Sequence, residues 1–193
     1  EELDVELSPH INIIHGKNAQ GKTNLLEAVY YCATGRSHRT SYDKECIRYD
    51  QSEAMIKIWY EKYKEEKLEI HIRKNGRKSI AVNGYPARRI NELFGCFQVV
   101  LFSPEDLSLI KSGPAKRRKF MDMEICQVDP VYLYQLQQYS KVLRQRNQLL
   151  KEIAKKAATK DTIFAWDEQL VSYGVKIMER RRQFTEQLRQ YTS

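Results

Sequence analysis

The feature that most constrains this chain is the octapeptide Gly16-Lys17-Asn18-Ala19-Gln20-Gly21-Lys22-Thr23. It is a complete G-x-x-x-x-G-K-[ST] phosphate-binding loop. The apolar run Ile11-Asn12-Ile13-Ile14-His15 before it reads as a short β-strand, and Asn24-Leu25-Leu26-Glu27-Ala28-Val29-Tyr30-Tyr31 after it reads as a helix. Strand, glycine loop and helix together aim backbone N–H groups and a helix N-terminus at a polyphosphate. Glycine lets the backbone close around the phosphates without Cβ clashes. The expected binding set is Gly16, Asn18, Ala19, Gln20, Gly21, Lys22, Thr23 and Asn24. Lys22 is expected to reach the β- and γ-phosphates, and the Thr23 hydroxyl to hold Mg²⁺, so ATP with Mg²⁺ is the expected cofactor. An ordinary glycine turn would explain the glycines but not the Lys22-Thr23 pair.

The 193 residues suffice for one sizeable core, or a core with an appended element. No run approaches the roughly twenty apolar residues of a membrane span, and no secretory leader is visible. The chain opens on Glu1-Glu2-Leu3-Asp4-Val5-Glu6-Leu7, alternating like a strand already under way and without an initiator Met, so a trimmed N-terminus is expected. The net charge of +8 favours an acidic partner, nucleic acid first. Cys32, Cys46, Cys96 and Cys126 are scattered, with no C-x-x-C pair, and read as reduced small hydrophobes of a cytosolic protein. His10, His15, His38 and His71 form no H-x-x-x-H pair, so no transition metal is expected.

Beyond the loop, the first half reads as α/β. Residues 54 to 87 alternate in three runs punctuated by Asn75-Gly76 and Asn83-Gly84, the pattern of an antiparallel meander. Asn91 to Phe94 reads as a helical turn, and Gln98-Val99-Val100-Leu101-Phe102 as a strand buried on both faces. Ser112-Gly113-Pro114 starts a helix that runs to about Cys126. From Val131 the apolar spacing becomes heptad-like through Tyr132, Leu136, Tyr139, Leu143, Arg146, Leu150, Ile153 and Ala157. After the break Thr159-Lys160-Asp161, a second stripe holds Ile163, Trp166, Leu170, Tyr173, Ile177, Phe184, Leu188 and Tyr191. The two stripes predict an antiparallel helical hairpin, either bundle core or coiled-coil arm.

Hydrolysis usually needs a carboxylate at the end of an apolar strand. The nearest candidates are Glu105 and Asp106, but Ser103-Pro104 intervenes, and both acids read better as helix-start residues. Arg36, His38 and Arg39 follow the loop helix closely and are placed to touch nucleotide or relay its state. Arg73, Lys74, Arg77, Lys78, Arg88 and Arg89 form one basic cluster, and Lys111, Lys116, Arg117, Arg118 and Lys119 a second. Such runs suit sequence-independent, salt-sensitive contact with a DNA backbone. Aromatics are not interleaved as single-strand stacking would require, so duplex or junction is the expected target.

Four blocks in order resemble the RecF family of bacterial DNA replication and repair proteins. They are Gly16–Thr23 with Asn24-Leu25-Leu26-Glu27-Ala28; Gly35-Arg36-Ser37-His38-Arg39; Val100-Leu101-Phe102-Ser103-Pro104-Glu105-Asp106-Leu107; and Ser112-Gly113-Pro114 with Arg117-Arg118-Lys119-Phe120-Met121-Asp122. The resemblance implies an α/β P-loop NTPase of the ABC type found in the SMC and Rad50 group. Residues 1–126 would be the N-terminal part of the ATP-binding head, and 127–193 a truncated helical arm. It further implies ATP-dependent homodimerisation on gapped or duplex DNA, a slow hydrolysis switch, RecO and RecR mediators, a role in the SOS response to DNA damage, and a cytoplasmic, nucleoid-associated bacterial location. The family's signature loop and acidic Walker B strand lie beyond the arm, so this stretch alone is expected to be inactive. The Gln that ABC proteins carry after the strand is replaced here by Ser103-Pro104. Two other readings are a P-loop phosphotransferase using Glu105 or Asp106, and a helical-hairpin module with a vestigial loop.

Overall fold

In the computed structural model, residues 2–155, 159 and 162–191 are described. Helix α1 (Lys22–Thr34) leads into a short 3-10 turn, Asp43–Cys46. Four strands follow, β1 (Glu53–Glu61), β2 (Glu65–Arg73), β3 (Ser79–Val82) and β4 (Tyr85–Pro86), paired antiparallel in that order. The meander is the one the alternation predicts. Ile56 stands opposite Ile70, Ile58 opposite Leu68, and Ile70 opposite Ile80, so the inward positions of three strands line one face. Leu68, Ile70, Ile72 and Ile80 are buried there against Tyr31 and Cys32 of α1 and Leu93. Each such side chain taken out of water contributes on the order of 1.5–3 kcal/mol. The sheet thereby fixes the C-terminal half of the helix that follows the phosphate loop.

The two Asn-Gly turns differ. Asn83 (φ 52°) and Gly84 (φ 82°) both adopt the left-handed backbone of a two-residue hairpin joining β3 to β4. Asn75-Gly76 does not: the chain between Arg73 and Ser79 makes a wider turn, and it is from this turn that Lys78 reaches back to α1.

Three expected strands are absent. Residues 3–7, 11–15 and 98–102 form no β-ladder, and Ile11, Ile13, Val100 and Phe102 are each about four-fifths or more exposed. An apolar run signals a need for burial, but an extended segment becomes a strand only beside a partner, and none lies alongside among the described residues. Residues 98–102 are therefore not buried on both faces. Instead the buried Gln127 amide pairs with the Val99 backbone, accepting from its N–H at 2.9 Å and donating to its C=O at 3.0 Å.

The expected turn near Asn91 is a 3-10 segment, Ile90–Leu93. A third 3-10 turn, Pro104–Leu107, leads into α2 (Ser108–Lys111). Helix α3 (Pro114–Val128) starts on Gly113 with Pro114 in its first turn. Helices α4 (Pro130–Ala154) and α5 (Ile163–Arg189) form the helical hairpin. Their antiparallel register is marked by the Arg146–Asp167 pair at one end and Arg180–Asp129 at the other. The expected stripes hold at Tyr132 and Ile177, which are buried, and fade at Leu188 and Tyr191, which are exposed. Val142, outside the expected stripe, is buried too. Ala157, Lys160 and Asp161 lie outside the described residues.

The hairpin is anchored where α3 meets α4. Asp129 ends one helix and caps the next, accepting from the Tyr132 N–H at 2.9 Å. Arg180 donates to the same carboxylate at 2.8 Å. Arg181 forks onto both oxygens of Asp122 at 2.8 Å, and the Tyr132 hydroxyl donates to Asp122. The second core, Ile125, Cys126, Tyr132 and Ile177, lies beneath these pairs.

Candidate nucleotide site

The phosphate loop is built by three left-handed or positive-φ positions. Gly16 (φ 146°), Ala19 (φ 65°) and Gly21 (φ 87°) fold residues 16–21 back on themselves. A Cβ at Gly16 or Gly21 would meet nothing within 4 Å, so both glycines border open space. Gly21 also begins α1, with no side-chain cap and no acidic residue in the first turn. The first-turn N–H groups thus have no intrahelical partner, and the positive end of the helix is left for an anion. The Lys22 ammonium donates to the Gly16 carbonyl at 2.8 Å and the Lys17 carbonyl at 2.6 Å. This holds the cation over the loop it would share with a phosphate. Asn18, Gln20, Thr23 and Asn24 are exposed around the same mouth. The donor set fits a polyphosphate: a cation, free backbone N–H groups, a hydroxyl at Thr23, and room.

The loop after α1 folds back along it. Gly35 terminates the helix in a left-handed conformation, its N–H bonded to the Tyr31 carbonyl. Arg36 is exposed, while His38 is half-buried, edge-on to Tyr30 at 5.5 Å between ring centroids. The His38 Nδ1 is buried and makes no hydrogen bond among the described residues. Arg39 lies on α1, its Nη1 donating to Asn24 Oδ1 at 3.2 Å and Glu27 Oε2 at 3.1 Å. Of the three expected residues, Arg39 thus reaches the first turns of α1, whereas His38 and Arg36 lie by its last turns, beside Tyr30 and Thr34. Burial, then the nearby Glu124 and Asp106 carboxylates, push the Tyr30 hydroxyl up to about 12. Glu124 itself is raised above its ordinary value by burial and by Asp106.

The basic clusters are not uniform. Arg73, Lys74 and Arg77 are exposed at the β2–β3 turn, although the Arg73 guanidinium donates to His71 Nδ1 at 2.9 Å. Arginine cannot accept, so the His71 proton sits on Nε2, facing Glu53 at 2.9 Å. Lys78 departs from the expected set. Its ammonium is bonded to the Gly35 carbonyl at 2.7 Å, the Tyr31 hydroxyl at 2.9 Å and Asp43 at 2.9 Å, which uses all three N–H groups on the fold. Lys116, Arg117, Arg118 and Lys119 are exposed in the first turns of α3, with Arg117 also donating to the Ser112 carbonyl at 3.0 Å.

Asp106, a candidate catalytic carboxylate, accepts from the Ser103 N–H at 2.7 Å and hydroxyl at 3.1 Å. That is the helix-start role, as the Ser103-Pro104 context suggests. The Glu105 side chain lies outside the described residues. What sequence reasoning missed is Glu27 and Ser37, which hold the post-helix loop, and the amide of Gln127.

Residues 1–192 match the family described as AAA domain. The DNA replication and repair protein RecF of Agathobacter rectalis is 49% identical over 189 residues, covering 97% of this chain and 52% of its own. That of Lachnospira eligens is 48% identical, with 97% and 53% covered. The chain thus spans about half the length of the curated relatives it matches. Among solved structures, the recombination mediator protein RecF-ATP in the RecFOR pathway superposes with a TM-score of 0.91 at 39% identity, over 95% of this chain and 50% of that one. A second structure of that mediator protein, RecF-ATPrS, gives 0.85 at the same identity and coverage. The sequence blocks, the P-loop fold and these likenesses agree: the chain belongs to the AAA domain family, as a P-loop ATPase fold of RecF type.

Proposed function

We propose that the protein containing this chain is an ATP- and DNA-binding protein of recombinational repair and replication-fork recovery. The observation that carries this is the Lys22 ammonium held over the Gly16 and Lys17 carbonyls at the uncapped start of α1. The relatives named for DNA replication and repair, and the related mediator solved with ATP, support it. In this reading Gly16, Asn18, Ala19, Gln20, Gly21, Lys22, Thr23 and Asn24 bind the triphosphate, and Arg36 and His38 border it. Mg²⁺, held by Thr23, would neutralise phosphate charge. Residues 1–126 serve as the N-terminal part of the ATP-binding head, and 127–193 as the helical arm.

Exposed Arg39, Arg73, Lys74, Arg77, Lys116, Arg117, Arg118 and Lys119 supply backbone contacts to duplex or gapped DNA. ATP brings two copies together on the DNA, slow hydrolysis releases them, and RecO- and RecR-type mediators use the complex to load recombinase at gaps. The setting is a bacterial cytoplasm; no helix among the described residues is long and apolar enough to cross a membrane.

A titration of this chain and its Lys22→Ala variant with fluorescent ATP–Mg²⁺, followed for turnover, tests the reading. Expected is an affinity loss of at least tenfold in the variant, about 1.4 kcal/mol or more, with no turnover by either. Unchanged affinity in Lys22→Ala would mean a vestigial loop. Robust turnover by this chain alone would favour the phosphotransferase.

A further inference from the structure

Glu27 stands four residues after Thr23 and three after Asn24, so all three share one face of α1 at its open end. Its side chain is 14% exposed, and both carboxylate oxygens are used on one loop. Oε1 accepts the Ser37 hydroxyl, and Oε2 accepts Arg39 Nη1 at 3.1 Å. The same Nη1 donates to Asn24 Oδ1 at 3.2 Å. Ser37 is itself a hub, its hydroxyl oxygen accepting from the N–H groups of Arg39 at 2.9 Å and Thr40 at 3.1 Å. Loop residues 37–40 are therefore stapled to the phosphate-loop helix at two points, through one carboxylate. A sparsely hydrated carboxylate that loses its partners is costly, so loop and helix move together. The Arg39 guanidinium is left half exposed beside the first turn that a phosphate would engage.

We infer that Glu27 is a positioning residue that couples occupancy of the phosphate loop to Arg39. Arg39 then engages a second anion, a phosphate of the nucleic-acid backbone. The inference rests on the proposed ATP and DNA binding and names the residue through which the two communicate. Coupling of this kind is reciprocal, so DNA changes ATP affinity by the same factor that ATP changes DNA affinity.

The experiment measures duplex DNA affinity of the full-length protein with and without ATP–Mg²⁺, for wild type, Lys22→Ala, Glu27→Gln, Arg39→Gln and the Glu27→Gln/Arg39→Gln double variant. Glutamine keeps the size of Glu27 and an oxygen acceptor but removes the charge. In wild type the ratio of the two affinities should fall in the roughly 5- to 150-fold range usual for coupled sites. In Glu27→Gln it should fall to about one, and the double variant should do no worse than either single, because both changes remove one interaction. If Glu27→Gln does not fold, Ser37→Ala removes the other staple and should also lower the ratio. A purely structural Glu27 would lower the melting temperature and both affinities while leaving their ratio intact, and that result overturns the inference. A wild-type ratio of one, or a ratio indifferent to Lys22→Ala, instead sinks the ATP-switched reading and the coupling with it.

Discussion

The two ends of α1 are built to opposite specifications. At its N-terminus, Gly21 offers no side-chain cap, Thr23 and Asn24 are exposed, and both loop glycines border open space. At its C-terminus, Tyr31, Cys32, Ala33, Thr34 and Gly35 are all buried, and the Tyr30 and Tyr31 carbonyls accept from the Thr34 hydroxyl and the Gly35 N–H. The Gly35 carbonyl takes the Lys78 ammonium at 2.7 Å, a cation placed where the helix dipole is negative. One end holds the helix in the fold so that the other can stay unsatisfied. A ligand-binding terminus that leaves backbone N–H groups free must be anchored elsewhere, and here the meander and the 90–93 turn do it.

The same substitution at the two ends should sharpen this contrast. Gly35 has φ 68°, and a Cβ there would stand 2.5 Å from Ile90 Cγ1 and 3.0 Å from Leu93 Cδ1. Gly35→Ala combines left-handed strain with overpacking, so a loss of roughly 3 kcal/mol is expected. Thermal unfolding of the full-length variant measures it. Lys78→Met comes next. It keeps the stem but strands the Gly35 carbonyl and one oxygen of Asp43, for a loss of about 2 kcal/mol. A Lys78→Met protein as stable as wild type would mean that water replaces the ammonium and that the anchor lies in the apolar contacts alone. Gly21→Ala is the smallest of the three in stability. With φ 87° and nothing within 4 Å, it carries only backbone strain of about 1–2 kcal/mol. Its larger effect should be on ATP–Mg²⁺ affinity, because the strain falls on the loop backbone that would wrap the phosphates. If Gly21→Ala costs as much stability as Gly35→Ala, the loop end is not the open end described here.

The same asymmetry governs what could be read from the sequence. The phosphate loop, the meander and the helical hairpin are local patterns, each set by spacing within a few residues, and all three stand in the structure. The strands expected at 11–15 and 98–102 fail because an apolar run encodes a demand for burial without naming the neighbour that meets it. The anchor of α1 was illegible for a related reason. Lys78 lies 43 residues from Gly35 and 47 from Tyr31, and it read as one more cation in a basic run. The wide turn at Asn75-Gly76, against the tight one at Asn83-Gly84, belongs to the same contact. Glu27 was hidden by an ordinary helical context, since a Glu among Leu and Ala looks like a solvated face until Ser37 and Arg39 are seen on it.

The smallest expected effects lie on α3 and its junction, where two carboxylates are shifted in opposite directions. Burial alone would raise Asp129, but hydrogen bonds from the Tyr132 N–H and from Arg180 outweigh it and hold the group below its ordinary 3.8. A depressed native pKa means that the unfolded chain binds the proton more readily. The stability Asp129 contributes is then complete above about pH 4 and is lost as pH falls through the native value. Glu124 runs the other way: burial and the Asp106 charge raise it above 4.5, so stability declines as pH rises from there through the native value. Melting temperature against pH should separate them. Asp129→Asn should flatten the acid limb and lower stability at pH 7, since the cap oxygen loses its charge beside Arg180. Glu124→Gln should raise stability at pH 7 and leave it unchanged at pH 4, while its carbonyl can still accept from the Gln127 amide. A Glu124→Gln protein less stable at pH 7 would show that the carboxylate is held there by attraction, and the relation between α3 and Tyr30 of α1 would need to be drawn anew.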